Sequence, residues 1–286
     1  LQNIGNQTIN LIELGPGNGY MMNDIQSVSR KFPDFSSSIK IWLYDISNTF
    51  AEEQSRNIRY NYNRIDTLEE LPVGINFFIA NEFFDAIPIK QFIHKDGDWK
   101  ERAVDVDESG ELSYSTIDKP RYLNEFDSTK HKLEDGLIHE ISPKQDDIFK
   151  KILKNISRNG GLLIIDYAKV NGGAGDTLQA ISKHKKKSIF YQPGDCDLTS
   201  LIDTNRFTEI AKAMNMGSFG PINQNDFLLS LGIFERYEML KSKANNTNKD
   251  ILYRQYHRLI DSDKMGELFK VLYFTNNKFT VPERMK

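Results

Sequence analysis

Glu13-Leu14-Gly15-Pro16-Gly17-Asn18-Gly19 is the stretch that decides how this chain of 286 residues is read. A short apolar run, Ile9 to Leu14, precedes the glycines and has the length of a β-strand. After them Met21, Ile25, Val28 and Phe32 recur at helical spacing, until Pro33 forces residue 32 out of helix. Strand, glycine turn and helix in that order form the place where an α/β sheet receives a nucleotide-like ligand, because glycine lets the ligand approach the backbone. A dinucleotide fingerprint wants a third glycine three positions after Gly17, where Tyr20 stands, and the Gly-Lys-Ser/Thr of a P-loop is missing. The loop is not built to cradle a pyrophosphate.

Outward from the loop, further apolar runs predict strands at Ile39 to Asp45, Ile75 to Ala80 and Gly161 to Tyr167, with a last strand at Val271 to Phe274. Between about residues 91 and 140 the period changes. Lys100 to Val106 and Glu111 to Ser115, separated by Asp107-Glu108-Ser109-Gly110, read as an inserted β-hairpin. Ser142-Pro143-Lys144-Gln145 offers an N-cap, a proline at the first helical position and a glutamine three after the cap, and the helix it opens ends at Gly160. Further helices are expected near Arg206 to Met214, Phe227 to Lys241 and Ile251 to Ile260. Strands alternating with helices predict a mostly parallel sheet covered on both faces. The expected organisation is a core over residues 1–170 that contains the insertion, and a part over 171–286 that completes the sheet and adds helices on the substrate side.

Composition narrows the function. There are 37 basic and 40 acidic residues, for a net charge of −3, so no global positive field exists to hold a polyanion. The longest apolar runs are strand-sized, far short of the roughly 20 residues that span a bilayer. The single cysteine, Cys196, cannot form an internal disulfide, and the five histidines show no ligand spacing, so no metal site is expected. A bacterial cytoplasm or a mitochondrial matrix suits such a chain.

The spacing Gly-x-Gly-x-Gly, with Glu13 two before the first glycine, resembles that of Rossmann-like S-adenosyl-L-methionine (SAM)-dependent methyltransferases. Their cofactor has no phosphate, only an adenosine, a sulfonium and an amino acid. Asp45, at the end of the second strand, suits it, since an ionised carboxylate can accept both ribose hydroxyls. Glu13, Gly15, Gly17, Gly19 and Asp45 are therefore the candidate cofactor residues. An ordinary tight turn and an acidic strand end would leave the same letters.

Asn81-Glu82-Phe83-Phe84-Asp85-Ala86-Ile87-Pro88 narrows the resemblance. Together with Leu162 to Tyr167, Asp176-Thr177-Leu178, Pro193-Gly194, Asp197 to Thr199 and Met265 to Lys270, in that order, it is similar to the MidA family of methyltransferases. The resemblance implies a class I SAM-dependent methyltransferase sheet with an inserted β-hairpin and additional helices. It also implies a protein arginine methyltransferase whose mitochondrial relatives assist respiratory complex I assembly by methylating a subunit. Family members carry a substantial segment before the first strand, and the chain is expected to lack that cover.

Methyl transfer from a sulfonium is an in-line displacement, and positioning can supply much of its rate. Arginine prefers bidentate carboxylate partners. Glu82 and Asp85 are thus the candidate catalytic residues for clamping a guanidinium, with Asn81 positioning the acceptor or the methionine end of the cofactor. Both acids would equally cap the turn that follows. Asp166 and Tyr167 could face the same cleft, Asp66 could meet the adenine amino group, and the basic run Lys183 to Lys187 reads as a solvated loop. A small-molecule methyltransferase and a non-catalytic assembly factor on the same fold remain open alternatives at this level.

Overall fold

A computed structural model describes residues 7–118, 120–122, 134–157, 159–169, 174–182 and 185–276. In chain order its elements are β1 (Ile9–Leu14), α1 (Tyr20–Ser29), α2 (Pro33–Ser38), β2 (Ile39–Tyr44), α3 (Asn48–Asn57), β3 (Asn63–Ile65), β4 (Ile75–Asn81), β5 (Lys90–Lys95), β6 (Asp98–Val106), β7 (Leu112–Ile117) and β8 (Ile138–Ile141). They continue with α4 (Pro143–Lys154), β9 (Gly161–Lys169), β10 (Gln179–Ser182), β11 (Lys185–Lys187), β12 (Asp197–Thr199), β13 (Ile202–Asp203), α5 (Thr204–Ala213), β14 (Gly217–Asn223), α6 (Gln224–Ser230), α7 (Ile233–Lys243), α8 (Asn246–Ile260) and β15 (Phe269–Thr275). The chain divides into two compact units, one of Leu1–Phe83, Phe149–Ala168 and Phe207–Lys286, the other of Phe84–Ile148 and Lys169–Arg206.

The first unit holds the expected sheet, in the order β14-β15-β9-β4-β1-β2-β3. Strands β3, β2, β1, β4 and β9 run parallel, while β15 is antiparallel to both β9 and β14. Strand order reverses between β1 and β4, the switch point outside whose carboxyl ends ligands bind in such sheets. Ile12, Leu14, Leu43, Phe78, Leu162, Ile164 and Phe274 are 0 or 1% exposed, which is what burial on both faces requires of near-continuous apolar strands. Phe149 of α4 stacks on Phe207 of α5 at 4.5 Å and meets Phe274 edge-on at 4.9 Å, locking these two helices to the sheet.

The face of α1 differs from the expected one. Met22, Gln26 and Ser29 are buried, whereas Val28 is 49% and Phe32 60% exposed. A specific polar bond sets that rotation: Gln26 Nε2 donates to the carbonyl of Asn61 at 2.9 Å, which apolar periodicity cannot report. Met22 then packs with Ile41, Leu43 and Ile58. The expected helix over Phe227 to Lys241 is two helices, α6 and α7, because Gly232 takes a left-handed φ of 86° between them. Strand β14, which contains Gly220 and Pro221, was not expected at all.

In the second unit the hairpin is larger than expected. β6 and β7 pair as read, but they belong to a four-stranded antiparallel sheet of order β7-β6-β5-β8, and a smaller sheet orders β11-β10-β12. Ser142 caps α4 as expected, accepting from the Gln145 N–H at 3.2 Å. The Gln145 Nε2 also donates to the Phe84 carbonyl at 2.7 Å, so this side chain makes a tertiary bond that its place in the first turn does not announce. Gly172 and Gly173, and Lys183 and His184 of the basic run, lie outside the described residues.

Candidate cofactor and methyl-transfer site

Register brings the cofactor candidates to one edge of the first unit. Leu14 pairs with Tyr44 on one side and Ala80 on the other, and Asn81 pairs with Ile165. Gly15, Asp45 and Glu82 therefore leave the sheet at nearly the same level, around the switch point. The glycine turn is pinned there by the Gly15 N–H, which donates to the Tyr44 carbonyl at 2.9 Å.

The glycines do different work. Gly15 (φ 64°) lies under the Phe83 ring, and a Cβ there would come within 2.8 Å of it. Gly17 (φ 51°) has nothing within 4 Å of where its Cβ would be. Close packing explains the first glycine, and open space above the backbone is what a ligand needs at the second. Gly19 precedes α1 with φ 81°, against the side chain of Ile58.

Asp45 is buried, with Oδ1 accepting from the Ser47 N–H at 2.8 Å and Oδ2 from Gln54 Nε2 at 2.9 Å. Each oxygen keeps a second acceptor site, enough for two hydroxyls. Gln54 is fully buried and also donates to the Gly17 carbonyl at 2.9 Å, so one amide ties the acidic strand end to the glycine turn. Sequence reading missed Gln54, which sits inside the polar helix α3 with nothing in its spacing to single it out. Glu13 is 3% exposed, and its Oε2 is buried without a hydrogen-bond partner. Burial pushes its carboxyl from 4.5 up to about 7. An orphaned buried acceptor is costly, and here it stands directly before the glycine turn.

At the end of β4, Glu82 takes a left-handed backbone, φ 50°, which a side chain bearing a Cβ rarely adopts. Its N–H donates to Ile165 at 3.0 Å, and Asn81 Nδ2 donates to its Oε1 at 3.3 Å. Glu82 is exposed, and the next residue, Phe83, is the ring that covers Gly15. Asn81 and Glu82 are thus brought beside the glycine turn. Asp85 belongs to the second unit, where it is buried and its carbonyl accepts from Ser200 at 3.0 Å. Asp166 is fully buried with Oδ1 accepting from its neighbour Tyr167, whose ring lies 4.0 Å from that of Phe269. Asp66 pairs with Arg64 in an ion pair. Asp176 in the second unit accepts from Gln91 and Arg102, and Cys196 is a free thiol. Among the described residues no group of His, Cys, Asp and Glu is placed to hold a metal ion.

Residues 1–222 match the model of a family described as "Putative S-adenosyl-L-methionine-dependent methyltransferase". The chain belongs to this family. It is the MidA family to which the motifs pointed, and the family's fold, enzyme class and cofactor are those of a class I SAM-dependent methyltransferase. Among similar proteins is protein arginine methyltransferase NDUFAF7, mitochondrial, of Danio rerio, 28% identical over 94% of this chain and 69% of its own length. The Homo sapiens protein of that name is 27% identical over 91% of this chain and 64% of its own length. The chain therefore spans about two-thirds of these relatives. Two crystal structures from Burkholderia thailandensis share the fold. One, of an uncharacterized superfamily protein, has a TM-score of 0.83 at 19% identity, covering 97% of this chain and 76% of that one. The other, a superfamily member bound to S-adenosyl-homocysteine, has 0.80 at 20%, covering 96% and 73%.

Proposed function

We propose that this chain transfers the methyl group of SAM to an arginine of a protein substrate, a subunit of respiratory complex I, in a mitochondrial matrix or, in a bacterium, the cytoplasm. The observation that carries the reading is Glu82. An exposed carboxylate is held in a strained backbone at the switch point, one residue from the ring that roofs the glycine turn. Such strain persists where surrounding structure over-determines it, and it clusters at active sites. The names of the similar arginine methyltransferases supply the substrate class.

The residues present fit the cofactor. The open face of Gly17 leaves room for it, Asp45 offers two acceptors for ribose hydroxyls, and the orphaned Oε2 of Glu13 is an acceptor waiting for a donor such as an ammonium. When bound, SAM supplies an electrophilic methyl on a sulfonium. Glu82 would accept two guanidinium N–H bonds, fixing the plane of the arginine and drawing positive charge away from the remaining nitrogen, whose lone pair would be freed to take the methyl while the proton that nitrogen loses would pass by way of the Glu82 carboxylate to water. Asn81 holds the Glu82 carboxylate in place by its amide. Alignment and charge placement are the chain's own contribution to the rate.

The test separates binding from transfer. Calorimetric titration with S-adenosyl-homocysteine should show one site, and labelled methyl from SAM should enter a protein band rather than small-molecule material. Glu82→Gln should keep cofactor affinity within about threefold and lower methyl transfer by on the order of 100-fold. Unchanged transfer in that variant would sink the assignment, and absence of cofactor binding would sink the enzyme.

A further inference from the structure

At the other end of β2 from Asp45, the first unit carries a second concavity that the cofactor site does not use. It encloses about 520 Å³ and is lined by the last turn of α1, by α2, by the start of β2 and by the residues leading into β3. The six residues of β2, at about 3.3 Å each, put it roughly 20 Å from the glycine turn. Its volume falls within the range of small-molecule sites.

The charge of this cavity is unlike that of the chain. Arg30, Lys40 and Arg59 line it, and no acidic residue does, although the whole chain is net negative at −3. None of the three forms an ion pair among the described residues. The Arg30 guanidinium instead lies over the Tyr60 ring, 5.0 Å from its centre. Arg59 is anchored by its backbone N–H, which donates to Asn23 Oδ1 at 3.2 Å. Gln26 is 6% exposed, and only its Nε2 is satisfied, by the Asn61 carbonyl, while its Oε1 is buried without a partner. Tyr60 and Tyr62 give the cavity aromatic surface.

Two arginines without carboxylate partners border one hollow, beside aromatic rings and an acceptor that lacks a donor, while the Lys40 side chain leaves β2 on the face opposite Ile39 and Ile41. Arginine forks match phosphate oxygens bidentately. We propose that this cavity binds a nucleotide-sized phosphate monoester, with the phosphate on Arg30 and Arg59, and the ring system against Tyr60 and Tyr62. A ligand hydroxyl or amine supplies the donor that Gln26 lacks. The site is independent of the methyl-transfer reading, since its residues are not those of the glycine turn.

The experiment is calorimetric titration of the full chain with adenosine 5′-monophosphate in the presence of saturating S-adenosyl-homocysteine, with adenosine and inorganic phosphate as separate arms. One further site for the nucleotide is expected, weakening with salt, with adenosine not binding and inorganic phosphate binding at least tenfold more weakly. The double substitution Arg30→Ala/Arg59→Ala, at two exposed side chains, should weaken the nucleotide at least tenfold and leave both the melting temperature and S-adenosyl-homocysteine affinity unchanged. No nucleotide binding, binding that the double substitution does not alter, or equal binding of inorganic phosphate would each overturn the proposal. Should S-adenosyl-homocysteine itself fail to bind, the double substitution still decides this site, because its effect on the nucleotide is read independently.

Discussion

Glu13 links the ionisation of one buried carboxyl to both stability and binding. Folded, it keeps its proton up to about 7; unfolded, it loses it near 4.5. Between those values the native state holds the extra proton, so the free energy of unfolding falls as pH rises and levels off above about 7. At about 1.4 kcal/mol per unit the fall is bounded near 3 kcal/mol. Glu13→Gln should flatten this decline, which urea denaturation at pH 5 and pH 8 would measure, and make the variant the more stable protein at pH 8. An ammonium beside Glu13 favours the ionised form, so S-adenosyl-homocysteine, through its amino-acid ammonium, should bind wild type more tightly at pH 8 than at pH 6, with less pH dependence in the variant.

The glycines and Glu82 give residue-scale contrasts of the same kind. Gly15→Ala meets both a positive φ and the Phe83 ring, and should cost about 1–3 kcal/mol of stability. Gly17→Val meets only the φ cost, so calorimetry should find cofactor binding lost from a protein that still folds. Glu82→Gly removes the strain of a left-handed residue, and should leave stability unchanged or raise it by about 1 kcal/mol while methyl transfer is lost. Loss of stability in that variant would show that Glu82 serves the fold.

At the scale of elements, individual polar side chains fix how helices and strands are tied together. The amide of Gln54 joins α3 to both the end of β2 and the glycine turn, so Gln54→Ala should weaken cofactor binding by about tenfold, the loss of roughly one buried hydrogen-bonding group. In the second unit, Glu140 on β8 accepts from Gln91 of β5, from the Thr177 N–H and hydroxyl, and from Lys169, each at 2.7–2.8 Å. Its side chain is 3% exposed and that of Lys169 9%. Glu140→Ala removes the carboxylate from a buried pair, and should destabilise by about 3–5 kcal/mol in thermal or urea unfolding. Thr177 belongs to the Asp176-Thr177-Leu178 motif, and this network gives the motif a structural role that its letters did not disclose. Elements were legible where apolar periodicity was strong, as in β1, β2, β4 and β9. They were not legible where a glycine split one apolar pattern, at Gly232, or where glycine and proline weakened a strand signal, in β14.

Across the whole molecule, the strand order carries the cofactor reading, because the reversal at β1 and β4 places the glycine turn and Glu82 side by side. A ligand that binds only the folded state stabilises it by mass action, so S-adenosyl-homocysteine at about 100 times its Kd should add roughly 2.7 kcal/mol. A rise in melting temperature that saturates with the ligand is the expected outcome, and Gly17→Val should abolish the rise. Among the described residues no helix is long and apolar enough to cross a membrane.

The sequence by itself determined the class of fold, the motif that opens the cofactor site and the carboxylates at strand ends. Those follow from local rules: strand and helix periods, the freedom of glycine, and the chemistry of an ionised acid. Only the tertiary structure decided the rest. The buried face of α1 depends on a bond from Gln26 to Asn61, the hold on Asp45 depends on Gln54, and the strain at Glu82 depends on its bond to Ile165. Each joins residues that chain spacing does not associate, since hydrogen-bond partners are chosen by proximity in space, and proximity is set by the whole sheet.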